Sequence, residues 1–227
     1  MQTLRFNPFN QIHKGLRALL YDTALLIQHT DFTKEQEITK VTDRVRLVNE
    51  VFAKHAHVED NYVFPMITQF APEIVADFEG QHQTDHELSA GLEKCLGLFA
   101  ETNTFEQNLR AGNELLQAFN SFLAFNVEHM KKEETIVNGV LWQHYGDDQL
   151  LQTVRQISAS MSPQESVAHC TWMLKGLAVQ EIVTWYRGIQ QSAPPPVFDS
   201  FCQLAEKTLT PARWGHVRKS LEVAAAC

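Results

Sequence analysis

From residue 10 to residue 29 the apolar side chains return every three to four positions. Ile12, Leu16, Leu19, Leu20 and Leu26 are spaced for one buried stripe, and His13 lies on it with Leu16, Arg17 and Leu20. This spacing predicts a helix over 10–29. After a short polar break, Thr33-Lys34-Glu35-Gln36 has the form of a capping box, a hydroxyl followed three residues later by a glutamine that can reach back. A second helical pattern runs from there to about Phe64, where Pro65 removes a donor and crowds the carbonyl of Asn61, so a kink or end is expected. Pro72 reads as a further start. The third helix is expected from about Glu73 to Ala100, with Phe78, Leu88, Leu92, Leu96 and Phe99 toward the core. Thr104-Phe105-Glu106-Gln107 repeats the capping-box form and opens a fourth helix to about Tyr145, weakened locally by Gly112, Asn113 and Gly139.

Beyond Gly146 the pattern changes. Ser162-Pro163-Gln164-Glu165 combines a capping hydroxyl, a first-turn proline and a glutamate three after the cap. Helices are expected over about 164–190 and 197–208, with Pro194-Pro195-Pro196 between them, and from Thr210-Pro211 to about Val223. All four tryptophans lie at or after the end of the fourth helix. The spacings then suggest a topology: 42 residues separate His13 from His55, and 43 separate His86 from His129. Two helix hairpins of nearly equal arms return their side chains to one level, most simply in an all-α, up-down-up-down four-helix bundle. The expected division is 1–146 for this bundle and 147–227 for a C-terminal helical extension, which either covers a bundle face or forms a homodimer contact.

Composition narrows the partners. A net charge of −8 argues against a general nucleic-acid or anionic-membrane binder, since both require clustered Lys and Arg. The first residues lack a basic-then-apolar signal pattern, and no apolar run approaches the roughly 18–20 residues that span a bilayer. Cys95, Cys170, Cys202 and Cys227 are scattered, which fits free thiols. A soluble, cytoplasmic protein is expected.

Three pairs at i,i+4 carry the candidate chemistry: His55/Glu59, His82/His86 and His129/Glu133. Four residues is just over one turn, so each pair stands on one helix face. With His13 they make seven donors. Five imidazoles and two carboxylates suit a first-row metal better than magnesium or calcium, which favour oxygen shells. Seven donors suit two ions better than one, and bridging carboxylates would offset the repulsion between two cations. With no thiolate in the set, iron or manganese fits better than a structural zinc. His57 is turned about 200° from His55 and is expected to face away. Phe9, Phe52, Phe122 and Phe125 fall on the ligand faces, as core or as the wall of a small pocket. Glu93 and Ser89 are expected at the rim, and Tyr62 could place a hydroxyl near the donors. His29, His144, His169 and His216 lack such a partner and read as ordinary.

The order His … His-x-x-x-Glu … His-x-x-x-His … His-x-x-x-Glu resembles the hemerythrin family, in particular its bacterial HHE cation-binding branch, over roughly residues 8–145. The run Glu59-Asp60-Asn61-Tyr62-Val63-Phe64-Pro65 resembles it too. The resemblance implies a non-haem di-iron centre with an oxygen bridge inside a four-helix bundle. It would place His82, His86 and His129 on one iron, His13 and His55 on the other, and Glu59 and Glu133 between them. The second iron would keep a position open for dioxygen, nitric oxide or peroxide. Oxygen-carrying hemerythrins have an aspartate five residues after the last histidine. Here Glu133 stands four after His129 and Glu134 stands at five; Glu133 is preferred because it repeats the His55/Glu59 spacing. Ferritin-like sites use Glu-x-x-His, the opposite order, and are set aside. The expected function is binding or sensing of a small ligand, or iron and oxidative-stress handling. A di-iron peroxidase, reductase or iron-centre repair factor is the alternative, as is an interaction protein with a structural metal.

Overall fold

The structure is a computed structural model that describes residues 5–101 and 104–225, with side chains through Glu222; Cys227 lies outside the described residues. Every regular element among them is helical. The first four long helices are α1 (Asn10–His29), α2 (Glu35–Val58), α4 (Pro72–Glu101) and α5 (Phe105–Lys132), with the short α3 (Phe64–Ile67) between the second and third of these. After α5 come α6 (Asn138–His144), α7 (Asp147–Ser160), α8 (Pro163–Gly176), α9 (Val179–Ser192), α10 (Pro195–Thr208) and α11 (Pro211–Ala225). None is long and apolar enough to cross a membrane.

The long helices form where the apolar period predicts them. On α1 the buried side chains are His13, Leu16, Leu19, Leu20, Thr23 and Ile27; on α2 they include Val41, Val45, Val48, Phe52 and His55, again three or four apart. Thr104 caps α5 as expected, accepting from Gln107 N–H at 3.3 Å while Gln107 Oε1 accepts from Thr104 N–H at 3.1 Å. The corresponding box at Thr33 does not form. Lys34 takes the cap position without a side-chain bond, and it is Glu37 that reaches back, accepting from Asp31 N–H at 2.8 Å. Asp31 in turn accepts from Thr33 N–H at 3.0 Å. An aspartate two residues before the threonine competes for the same donors as a local turn.

Two departures from α geometry were not expected. Between α2 and α3, residues Glu59–Val63 form a π turn; between α5 and α6, Glu133–Val137 form another. In each, the glutamate carbonyl accepts from the N–H five residues on, Phe64 in the first and Asn138 in the second. Pro65 therefore does not end the helix at Phe64. It sits in the first turn of α3, where its missing donor is not needed. The second π turn has no proline, so proline is not the common cause. What the two share is the His-x-x-x-Glu motif immediately before them.

The chain folds as two compact units. The first comprises residues through Asn10 and Leu19–Ser160, the second Gln11–Ala18 and residues from Met161 onward. Within the first, α4 packs along α5 and α2. It also contains α7, beyond the boundary expected at Gly146: Leu150 is buried with Phe64, Val75, Phe78, Val137 and Leu141. Arg5 ties the start of the chain to the end of α6, donating to the carbonyls of Trp142 and, at 2.6 Å, Tyr145.

The second unit has its own core of Leu174, Leu177, Ile182, Val183, Tyr186, Ala205, Leu209, Val217 and Leu221. Ser162 forms the predicted capping box with Glu165 at its N-terminus. Two glycines let backbones meet inside it. A Cβ on Gly15 would lie 2.8 Å from the Met173 nitrogen, and one on Gly176 would collide with the Lys14 carbonyl. Lys14 pairs with Glu181 beside them.

Candidate metal centre

Each π turn begins on a carboxylate whose histidine lies one turn earlier. His55 Nε2 is 3.1 Å from Glu59 Oε1, and His129 Nε2 is 3.2 Å from Glu133 Oε1. From α4, His82 brings its Nε2 to 3.4 Å from the other oxygen, Glu59 Oε2. One ligand atom from each of Glu59, His82, His129 and Glu133 lies within 4.8 Å of all the others. His55 stands against this group through Glu59, while His13 belongs to the second unit. Every member of the group is buried.

The electrostatics explain why such a site asks for cations. Glu59 is 1% and Glu133 0% exposed. Burial, followed by the facing charge of Glu133, pushes the Glu59 carboxyl well above the usual carboxylate range. Two ionised carboxylates held this close out of water are stable only if positive charge sits between them. The donor set, imidazole with carboxylate, is one that first-row metal ions accept.

The far sides of two imidazoles are also spoken for. His82 Nδ1 is 2.8 Å from Asp60 Oδ1, and His129 Nδ1 is 3.1 Å from Gln81 Oε1. Both partners present an oxygen acceptor, so the proton belongs on Nδ1 and Nε2 keeps its lone pair toward the carboxylates. Aromatic rings close around them. Phe64 stacks on His82 at 5.3 Å, Phe125 stacks on His129 at 5.9 Å, and Phe52 meets Phe122 edge-on at 5.3 Å.

Within the first unit Glu59, His82, His129 and Glu133 come together and His55 stands beside Glu59; His86 does not join them. It is exposed and lies outside the group, while its neighbour Asp85 is buried. The reason lies in the face that α4 buries. Val75, Phe78, His82, Asp85, Leu92 and Leu96 define a stripe centred on the i+3 side of His82. Asp85 falls about 30° from that line and His86 about 70° on the other side. Asp85 Oδ1 accepts from Asn126 Nδ2 at 2.6 Å, and burial pushes its carboxyl up. His57 is exposed, next to Asn61. Glu133 rather than Glu134 is in the group. Glu93 is exposed and accepts from Asn49 at 2.7 Å rather than from a histidine. Asp60, Gln81, Asp85 and Asn126 are the site residues that sequence reasoning missed. Three of them adjoin a predicted donor, and adjacency was their only signal.

The chain was compared with protein families, curated proteins and solved structures. The family model described as the hemerythrin HHE cation binding domain matches residues 7–141. Neither the curated proteins nor the solved structures gave a significant match.

Proposed function

The chain belongs to the hemerythrin HHE cation-binding family, and on that premise we propose that it is a di-iron protein that binds or senses a small ligand. In this reading α1, α2, α4 and α5 form an up-down-up-down four-helix bundle. By the family resemblance His82 and His129 would hold one iron and His13 and His55 the other, with Glu59 and Glu133 shared between them. His86, being exposed, is left out of the set. When bound, the metal pair would supply an open coordination position for dioxygen, nitric oxide or peroxide. The protein's own part is to present Nε2 of each histidine, to neutralise the ions with two buried carboxylates and to keep water away with the phenylalanines. Iron is preferred to manganese or zinc because the set is rich in histidine, lacks thiolate and offers two adjoining positions. The free Cys95, Cys170 and Cys202 are in keeping with a cytoplasmic setting.

The observation that carries this reading is the buried group of Glu59, His82, His129 and Glu133, with His55 3.1 Å from Glu59. The test is metal quantitation with optical spectra on protein purified without added metal. About two irons per chain with a bridged ferric spectrum are expected on the two-ion donor logic; one tightly held zinc and no iron would overturn it. A di-iron enzyme would show the same metal content and would in addition consume peroxide or nitric oxide over many cycles.

A further inference from the structure

Asn138 is wholly buried, at 0% exposure, and neither its Nδ2 nor its Oδ1 has a hydrogen-bond partner among the described residues. Its place is set by the second π turn. The Asn138 N–H donates to the Glu133 carbonyl, so Asn138 stands one turn beyond Glu133 on the same face. Side chains on a helix lean toward its N-terminus and cover the preceding turn. The amide therefore leans back toward the turn that carries Glu133. Val137 before it and Leu141 after it are buried apolar residues and offer it no polar partner.

The first π turn makes the contrast plain. Phe64 occupies the equivalent position after Glu59, and its ring stacks on His82. One π turn is thus followed by an aromatic ring stacked on a donor histidine, and the other by a buried amide. A buried amide without a partner destabilises the fold, and leucine, with the same number of side-chain heavy atoms branched at the same carbon, would remove that polar cost. Its chemistry also fits a particular task. An amide is neutral, so it adds nothing to the charge of two buried carboxylates, and it offers a donor and an acceptor within one group.

We infer that Asn138 is the ligand-recognition residue of the centre, its Nδ2–H donating to a small hydrogen-bond-accepting ligand held at the metal pair. The inference rests on the metal-centre reading above. Asn138 holds no metal; it selects what the metals hold. Ligands able to accept a hydrogen bond beside the metal atom, such as small anions, gain from it, and purely apolar ligands do not.

The test uses the iron-loaded full chain with azide as the probe, followed by optical titration, on the wild type, Asn138→Leu and Asn138→Ala. Iron content should be unchanged, and azide should bind about tenfold more weakly to both variants. Metal-free Asn138→Leu should melt at or above the wild-type temperature, which a packing role for the amide would not allow. Azide affinity within about twofold of wild type in an iron-replete variant would overturn the inference. Loss of iron from both variants would also overturn it, by making Asn138 a support for Glu133. A wild type that binds no metal would overturn the metal reading first and this inference with it.

Discussion

Asp60 shows how a single exposed residue can govern a buried donor. Its carboxylate accepts from His82 Nδ1 and fixes which nitrogen is left to coordinate. Replacing Asp60 with Ala removes that acceptor from a side chain that is 42% exposed. Chelator competition should find metal affinity lowered roughly 10- to 100-fold, with the melting temperature of the metal-free protein nearly unchanged. An unaltered affinity would mean that packing alone orients His82. Glu59 supports a second prediction. Its folded pKa is raised above the ordinary value of 4.5 by burial and by Glu133. On the sign of the linkage, the unfolded chain releases this proton first, so the metal-free protein should lose stability as pH rises above about 4.5. Thermal melts should show Glu59→Gln gaining on the wild type as pH climbs through that window, whereas bound metal replaces the proton and removes the trend. Equal pH dependence of the two metal-free proteins would refute it.

The elements themselves carry one feature that periodicity does not reveal. Both π turns start on the glutamate of a His-x-x-x-Glu motif, and a π turn is in effect one residue inserted into an α-helix. Deleting exposed Ile136 from the second should let α5 run into α6 as a plain α-helix, with Val137 and Leu141 still facing the core. Circular dichroism should report unchanged helix content, while metal bound per chain should fall below about half, because the Glu133 backbone would no longer be rotated toward the donors. Retained metal would show that the insertion does not present the carboxylate. At this scale the sequence was readable where local chemistry decides. The boxes at Thr104 and Ser162 formed because their partners are three residues away and unopposed. The one at Thr33 failed because Asp31 and Glu37 offer the same backbone a competing set of bonds.

At the scale of the whole molecule, the second unit depends on close backbone approach. Gly15 and Gly176 sit where a Cβ would meet backbone atoms rather than flexible side chains, so neighbours cannot yield cheaply. Gly176→Ala should destabilise this unit by about 1–3 kcal/mol, the usual range for overpacking, as read by denaturant unfolding. No loss of stability would mean that α8 can shift away from Lys14. The unit also encloses the part of α1 that a reading by chain order assigns to the N-terminal bundle. Leu150 shows the reverse case: α7 lies beyond the expected boundary at Gly146 yet buries its side chain in the first unit.

What the sequence by itself determined was everything that one helix can settle alone. The 3.6-residue period named the buried stripes, and i,i+4 spacing put His55 with Glu59 and His129 with Glu133, because both depend only on rise and rotation along a single axis. The tertiary structure decided how each helix is turned about that axis. A rotation of a few tens of degrees, set by packing against α2 and α5, exchanges Asp85 for His86 at the buried face of α4 and brings Asp60 and Gln81 behind their histidines. The same holds for the π turns. An inserted residue is unfavourable in an isolated helix and is kept only where the surrounding packing and the buried donors fix the glutamates in that orientation.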